Sequence, residues 1–504
     1  MKTTTKTKPS SFGFHTRATA ADASAGTVPR RRASNTTPRA LLAPLIACLL
    51  LVGSGTVSAA DLFSVQLNDT NNAAHTATAG GSSLLDLIEE VIKNKNDFAS
   101  FKNADFTSSL DYLGIAGAIK IDATSGEITL DIPSIKYRRV FGSIAGDRDD
   151  IADDVEDWLL KGDGLGVYSK FLKEMAKKSL VAINDGNPSA TTARAATRAF
   201  FHFGFSPVED MFILPLENAK NDAKADAKTD AKTSGKKSET CALPWCDCAT
   251  RNRYYSGLAL QFSAGNFTAG DFKGTYADFS IPWRAHCGRR VDLAMEINFN
   301  GTEIEDAQVF GFGLQFALPI HIIKADARGD RWNWRITPFA GADVRGSMDM
   351  IDGAGIWMAG GVSALDFRVL NWFALSLVNQ LSLHKSVAVP IGDGDDGWSY
   401  GTGGFYDSEF AGSKASGDLD PDVSQLVLKN ALRAGFAPCG WFFGSVHVAH
   451  TRFLRDATVK DYFTFGAAIT LHSLRDWRFQ AAVNYDTGSH YKAATATLAS
   501  VWSF

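Results

Sequence analysis

Three groups of residues in this 504-residue chain have the types and spacing that chemistry needs. In LSLHKSVAV, His384 and Ser386 stand two apart, which puts a base and a hydroxyl on the same face of a strand. Such a pair needs an Asn or acidic group to orient the histidine. No Asn-Gly follows, and Leu381 and Leu383 claim the opposite face, so the pair reads as wall lining rather than catalysis. The second group is acidic: Asp393, Asp395, Asp396, Asp407, Glu409, Asp418, Asp420 and Asp422. Clustered carboxylates suit calcium, yet the spacing and downstream Glu of a helix-loop-helix calcium motif are missing, and a solvated loop is expected. Asp147, Asp149, Asp150, Asp153 and Asp154 suit the positive end of a starting helix. The third group is Cys241, Cys246 and Cys248 in CALPWCDC, with Cys287 in HCG and Cys439 in APCG. With only His286 close by, this is a weak zinc set. Neither a metal nor a cofactor is expected.

The elements that hold these groups follow from pattern. Basic residues precede an apolar run from Ala40 to Val52, and Val57, Ser58, Ala59 and Ala60 form an A-x-A-like site. Residues 1–60 therefore read as a secretory signal with an extended basic leader. Leu45-Ile46-Ala47-Cys48 also fits a lipoprotein box, but apolar residues continue straight after Cys48. No later stretch offers the eighteen or so uncharged apolar residues of a spanning helix. The net charge of -4 shows no basic excess for nucleic acid.

Residues 61–216 read as a small α+β domain. SLLDLIEEVIKN has helical spacing, GAIKIDATSGEITLDIPSIKYRRVF reads as a hairpin, and helical stretches begin near Asp147, Tyr168 and Ser189. Residues 217–250, with NDAKADAKTDAKTSGKK, have no apolar face to bury and read as a charged linker ending in the cysteine cluster. Residues 251–504 contain about twelve segments that alternate apolar and polar residues, each near the length that crosses a bilayer at a tilt. In RVDLAMEINFN, Val291, Leu293, Met295, Ile297 and Phe299 share one face while Arg290, Asp292, Glu296 and Asn298 share the other. A mean hydropathy of -0.08 is ordinary for such strands. Tight turns at HSLRD, APCG, VLN and HCG occupy one side, and longer connections, above all Pro390 to Ser424, are expected on the other.

The alternating strands, the signal, the turn rhythm and the final ATATLASVWSF, ending in Trp502 and Phe504, resemble a Gram-negative outer-membrane β-barrel protein. The resemblance implies an all-β transmembrane antiparallel barrel of about twelve strands at the C-terminus, in contact with outer-membrane lipid and lipopolysaccharide. It also implies that Phe504, with Trp502, is read by the barrel-assembly machinery. The His-x-Ser pair resembles that of outer-membrane lipid hydrolases, but the missing orienter and inward-facing His384 speak against an enzyme. Asp278, Arg284, Asp292, Glu296, Lys429, Arg433, Arg478 and Gln480 have lumen parity and either line a narrow solute path or pair with one another in an anchor.

An even strand count returns both barrel ends to one side, so the N-terminal domain is expected in the periplasm, beside Phe504. The alternative is an autotransporter-like layout, in which that domain is secreted or displayed through the barrel. Cys287 and Cys439 fall in turns on the linker side. They lie too far apart to bond directly, so each is expected to bond a member of the Cys241, Cys246 and Cys248 group, disulfides being the favoured state in an oxidising periplasm.

Overall fold

The computed structural model describes residues 61–72, 74–83, 87, 106–121, 127–143, 172–205, 257–287, 290–323, 331–347, 350, 352–387, 389–391, 417–419, 423–439, 441–472 and 477–503. Its first element is an antiparallel sheet of six strands, β1 (Phe63–Asp69), β2 (Thr76–Gly81), β3 (Phe106–Tyr112), β4 (Ile115–Ile121), β5 (Glu127–Ile132) and β6 (Tyr137–Ser143), in the order β2-β1-β3-β4-β5-β6. Strict alternation builds it: Phe63, Val65 and Leu67 are buried, with Ser64 and Gln66 between them on the polar face. The expected hairpin is β4, β5 and β6. Among the described residues this region is chiefly β-sheet rather than an even mixture of helix and strand. The helix expected near Tyr168 is seen over residues 172–176, while the stretch near Asp147 and most of SLLDLIEEVIKN lie outside the described residues.

The second element is a barrel. Its strands are β7 (Gly257–Ala269), β8 (Phe272–His286), β9 (Asp292–Ile304), β10 (Ala307–Ala317), β11 (Ile320–Ile323), β12 (Trp332–Ser347), β13 (Asp352–Leu370), β14 (Phe373–Val387), β17 (Ser424–Cys439), β18 (Phe442–Phe453), β19 (Asp461–His472), β20 (Trp477–Gly488) and β21 (Tyr491–Ser503). A small pair, β15 (Val389–Ile391) and β16 (Gly417–Leu419), lies in the connection after β14. Both β10 and β11 pair with β12 and are separated only by Leu318 and Pro319, so they act as one interrupted strand. Twelve antiparallel strands then close: β21 pairs with β7, and β10 pairs with β12.

Alternation sets the two faces of the wall. Leu260, Phe262, Phe299, Phe312, Leu381, Leu432, Phe465 and Phe479 point outward and are exposed, while Asn298, Gln315, Gln380 and Lys429 are buried inside. This is the apolar-out, polar-in arrangement that lipid demands. Leu293, Met295, Ile297 and Phe299 alternate with buried Asp292, Glu296 and Asn298 as the sequence pattern predicts.

The two ends of the barrel differ. One end, called here the mouth, carries Gly257, Ser503 and the short links at 371–372, 440–441 and 473–476. Trp332, Trp372, Trp441, Trp477 and Trp502 cluster there, each between 44% and 51% exposed, as expected of indoles at a membrane interface. The other end, the cap end, carries the connection 388–423. Three of its other links are shorter than predicted: 270–271, 305–306 and 489–490 hold two residues each. Strands continue through segments read as loops because their upper residues have something to pack against. Phe267, Ala269, Phe272, Ile304, Ala307, Val309, Tyr491 and Ala493 share one apolar cluster with Phe63, Val65, Leu110, Ile132, Leu172 and Val181. The N-terminal sheet thus sits against the cap end, opposite Gly257 and Ser503. The expectation that it shares an end with the C-terminal strand fails, for a reason found inside the barrel.

Candidate functional site in the barrel lumen

A helix lies in the lumen. Residues Thr191–Ala199 form α1, which continues as a π-helical turn over Phe200–Gly204. Its sequence, TTARAATRA, has no broad apolar stripe; alanines and threonines let it approach the wall closely. Ala195, Ala199, Phe200 and Phe203 pack against Phe339, Met358, Val362 and Val378, and Ala193 and Ala196 against Val427 and Tyr462.

Both helix ends find partners, the start in the preceding segment and the wall, the finish in the wall. At the start, the Thr191 amide donates to Ile183 O (2.8 Å), Thr192 Oγ1 donates to Asp185 (2.6 Å), and Arg345 Nη1 donates to Ser189 O (2.8 Å). At the finish, Arg335 Nη2 donates to Phe203 O (3.3 Å) and Gly204 O (3.2 Å), taking up carbonyls that a helix leaves without partners at its negative end. Arg345 is near the cap end of β12 and Arg335 near its mouth end. The helix therefore runs from cap to mouth.

Along its length, Gln315 Nε2 donates to Ala195 O (3.2 Å), Gln380 Nε2 to Ala196 O (3.0 Å) and Lys429 Nζ to Thr197 Oγ1 (2.7 Å). Basic residues at every fourth position meet wall carboxylates. Arg194 Nη2 lies 2.7 and 2.6 Å from the two oxygens of Asp278, Arg198 pairs with Asp343, and His202 Nε2 is 3.0 Å from Glu296. Arg194 also lies over the Tyr276 ring, 4.2 Å from its centroid, and Arg433 over Phe205 at 5.1 Å.

The helix does not fill the lumen. A cleft of about 340 Å³ remains beside it, lined by Arg194 and Phe201 on the helix and by Trp283, Glu296, Asn484 and Val501 on the wall.

The lumen-parity candidates named from sequence all lie on the inner face of the wall. Asp278, Glu296 and Lys429 hold α1 directly, and Arg433 flanks its end. Arg284 Nε donates to Asp292 (2.9 Å) at the mouth, where His321 Nε2 is 3.6 Å from the same carboxylate. Arg478 and Gln480 line the cleft. His384 is buried on the lumen side, with Nε2 2.9 Å from Ser382 Oγ, while Ser386 Oγ accepts the Val423 amide (2.8 Å). Cys287 is exposed at the mouth, and the cysteines expected to bond it lie outside the described residues. Phe504, Cys241, Cys246, Cys248, Asp393, Asp395, Asp396, Asp407, Glu409, Asp420, Asp422, Asp147, Asp149, Asp150, Asp153 and Asp154 lie outside the described residues.

Sequence reasoning missed Arg335, Asp343, Arg345, Gln315 and Gln380 in the wall, and it missed α1 as their partner. The available signal was Arg194, Arg198 and His202 at four-residue spacing on a helix with little to bury in an apolar core.

These features define an outer-membrane-type β-barrel protein whose pore is occupied by a helix of its own chain. No protein-family model matches the chain, and no curated protein matches it. Among solved structures it is similar to the translocator domain of autotransporter NalP from Neisseria meningitidis, at 14% identity, covering 57% of this chain and 95% of that one with a TM-score of 0.34. It is also similar to the beta domain of the Bordetella autotransporter BrkA, at 9% identity, covering 50% and 100% with a TM-score of 0.36. An outer-membrane channel from Pseudomonas putida F1 matches at 11% identity over 54% and 100%, with a TM-score of 0.33.

Proposed function

We propose that this protein displays its N-terminal domain at the cell surface, with α1 as the segment left in the barrel after the chain has passed through, in the manner of an autotransporter. One observation carries the reading: α1 runs through the lumen from a cap end bearing the N-terminal sheet to a mouth bearing Gly257 and Ser503. The 388–423 connection, the longest between neighbouring barrel strands, supports an external cap and so a periplasmic mouth. Protease added to intact cells should then digest residues 61–143 and leave the barrel whole. Digestion only after the outer membrane is opened would defeat the display reading and restore a periplasmic domain.

The charged cleft beside α1 favours a second reading, a narrow solute channel. Against it stands the apolar cluster at the cap end, where the sheet covers the strand tips. Purified full-length protein should give little or no ion conductance in planar bilayers under the display reading, and steady open steps under the channel reading.

A further inference from the structure

The cleft beside α1 has a chemistry of its own. The helix leans on β12, β13 and β14 through Phe339, Met358, Val362 and Val378. Across the lumen β7, β20 and β21 turn Ala259, Ala482, Thr497 and Ala499 toward it, and beside such short side chains the cleft stays open.

Two cross-strand rows give this space polar walls. In one, His447, Gly466 and Asn484 stand in register on β18, β19 and β20. An added Cβ at Gly466 would fall against both His447 Nε2 and Asn484 Oδ1, so these two atoms converge over the bare glycine. Neither has a hydrogen-bond partner among the described residues. In the other row, Gln261, Ala499 and Gln480 stand in register on β7, β21 and β20, and both carboxamides border the cleft on either side of the small Ala499. They too lack a partner among the described residues. The outer members of each row lie two strands apart, about 10 Å, which is close to the length of two linked sugar rings. The end of α1 adds an aromatic surface. Phe201 and Phe205, both partly exposed in the cleft, have ring centroids 5.3 Å apart and lie 5.6 and 4.9 Å from the His447 ring.

These groups select a class of ligand. An apolar molecule would cover the two rows and leave their polar atoms unpaired, at a cost for each. A charged one would need free charge of opposite sign, whereas Arg194, His202 and Arg284 at the cleft already face Asp278, Glu296 and Asp292. A carboxamide both donates and accepts, as does a neutral imidazole through its two nitrogens. Sugar hydroxyls ask for that double capacity, and the C–H face of a sugar ring suits the face of a phenyl ring. The volume of about 340 Å³ falls within the range of small-molecule pockets, about 300–1,000 Å³.

We propose that the cleft binds a neutral saccharide of one or two rings, with its hydroxyls on Gln261, Gln480, Asn484 and His447 and a ring face against Phe201 and Phe205. The cleft reaches Gly257 and Val501, so the sugar enters from the mouth. Which compartment supplies it rests on the display reading, under which the mouth is periplasmic; binding itself does not.

Full-length protein in a detergent without a sugar headgroup provides the test, with glucose, maltose and N,N′-diacetylchitobiose as probes in saturation-transfer NMR. At least one should bind with a Kd of about 10 mM or tighter. Gln480→Ala, Asn484→Ala and Phe201→Ala should each weaken that binding about three- to tenfold. Ala482→Leu with Ala499→Leu fills the cleft without removing a polar group and should abolish it. Gln261→Leu with Gln480→Leu, which nearly keeps side-chain volume, should abolish it as well and serves where the first pair does not fold.

Failure of all three sugars to bind at about 10 mM, or binding of glucuronate or glucosamine in their place, overturns the assignment. So does binding that survives either leucine pair in protein that still migrates as a heat-modifiable barrel, because the sugar then sits elsewhere. A domain that protease cannot reach on cells would defeat the display reading and leave these binding results standing.

Discussion

Breaking the Arg194–Asp278 pair should release α1 while the barrel stays folded. The two side chains are 10% and 18% exposed, and both carboxylate oxygens accept from the same guanidinium nitrogen. Unit charges about 4 Å apart attract by roughly 4 kcal/mol at an effective dielectric near 20. Desolvation of both ions opposes that attraction, though the pair borders the cleft and is not fully enclosed. The net coupling should therefore fall at about 1.5–3 kcal/mol, the range for hydrogen bonds to charged groups. Removing one partner costs more than the coupling, because the other charge remains in the wall; about 3 kcal/mol is expected, the low end for a buried pair.

Hydrogen exchange in detergent micelles reads this directly. A loss of about 3 kcal/mol corresponds to a roughly hundredfold faster exchange of α1 amides. Arg194→Met and Asp278→Asn should each produce it, while amides in β17 and β18, on the other side of the lumen, keep the parent rate. The double variant should cost less than the sum of the singles by the coupling energy. If α1 protection stays within about threefold of the parent, or the two costs simply add, the pair does not hold the helix and the electrostatic account of docking is wrong.

Three further outcomes are expected. An added Cβ at Gly313 would lie 2.5 Å from Asp343 Oδ2 and 3.1 Å from Arg198 Nη2, so Gly313→Ala should displace that pair and cost about 1–3 kcal/mol of α1 protection, whereas Gly361→Ala, with nothing within 4 Å of the new atom, should not. Burial raises the Asp185 carboxyl to about 6, outweighing bonds from Thr192, Gly186 and Gln425; its contribution is full below its unfolded value near 3.8 and is lost as pH rises through about 6, so amides at 183–190 should exchange relatively faster at pH 7.5 than at pH 5 after correction for intrinsic rates, and Asp185→Asn should remove the difference. Peptide mapping of non-reduced protein should find Cys287 and Cys439 each bonded to one of Cys241, Cys246 and Cys248; both free would remove the lacing of the linker to the mouth, and labelling either from outside the cell would reverse the assignment of the two ends.

The wall of the barrel was legible because a transmembrane strand must satisfy lipid on one face at every second residue. That demand leaves a regular trace in β9 and in β20, where outward Phe479 and Val483 are followed by inward Gln480 and Asn484. The ends of the strands were less legible. Phe267, Ile304 and Tyr491 extend their strands past the turns read from sequence because the N-terminal sheet covers them, and a contact between segments so far apart in the chain leaves no local pattern.

The helix was legible as a helix and not as a lumen helix. An amphipathic stripe tells which face is buried only when the burying partner is apolar; a polar lumen asks for small residues and charges, which read like a solvated surface. TTARAATRA looks exposed, yet Thr191, Thr192, Ala193, Ala195 and Ala196 are all buried. The difference over which barrel end the N-terminal sheet packs against has the same root. An even number of strands fixes where the first and last strands end, and nothing more. The chain before β7 has a third route, through the pore itself. Two features in the sequence bear on that route: basic residues four apart on a helix of small residues, and unmatched carboxylates at lumen parity on strands predicted to surround it. Asp278 and Glu296 were assigned to the lumen from alternation alone, and Arg194 was within a stretch read as helical. Pairing the two sets by charge would have put the helix inside the barrel, and the direction of α1 along β12, from Arg345 to Arg335, then puts the domain that precedes it at the far end.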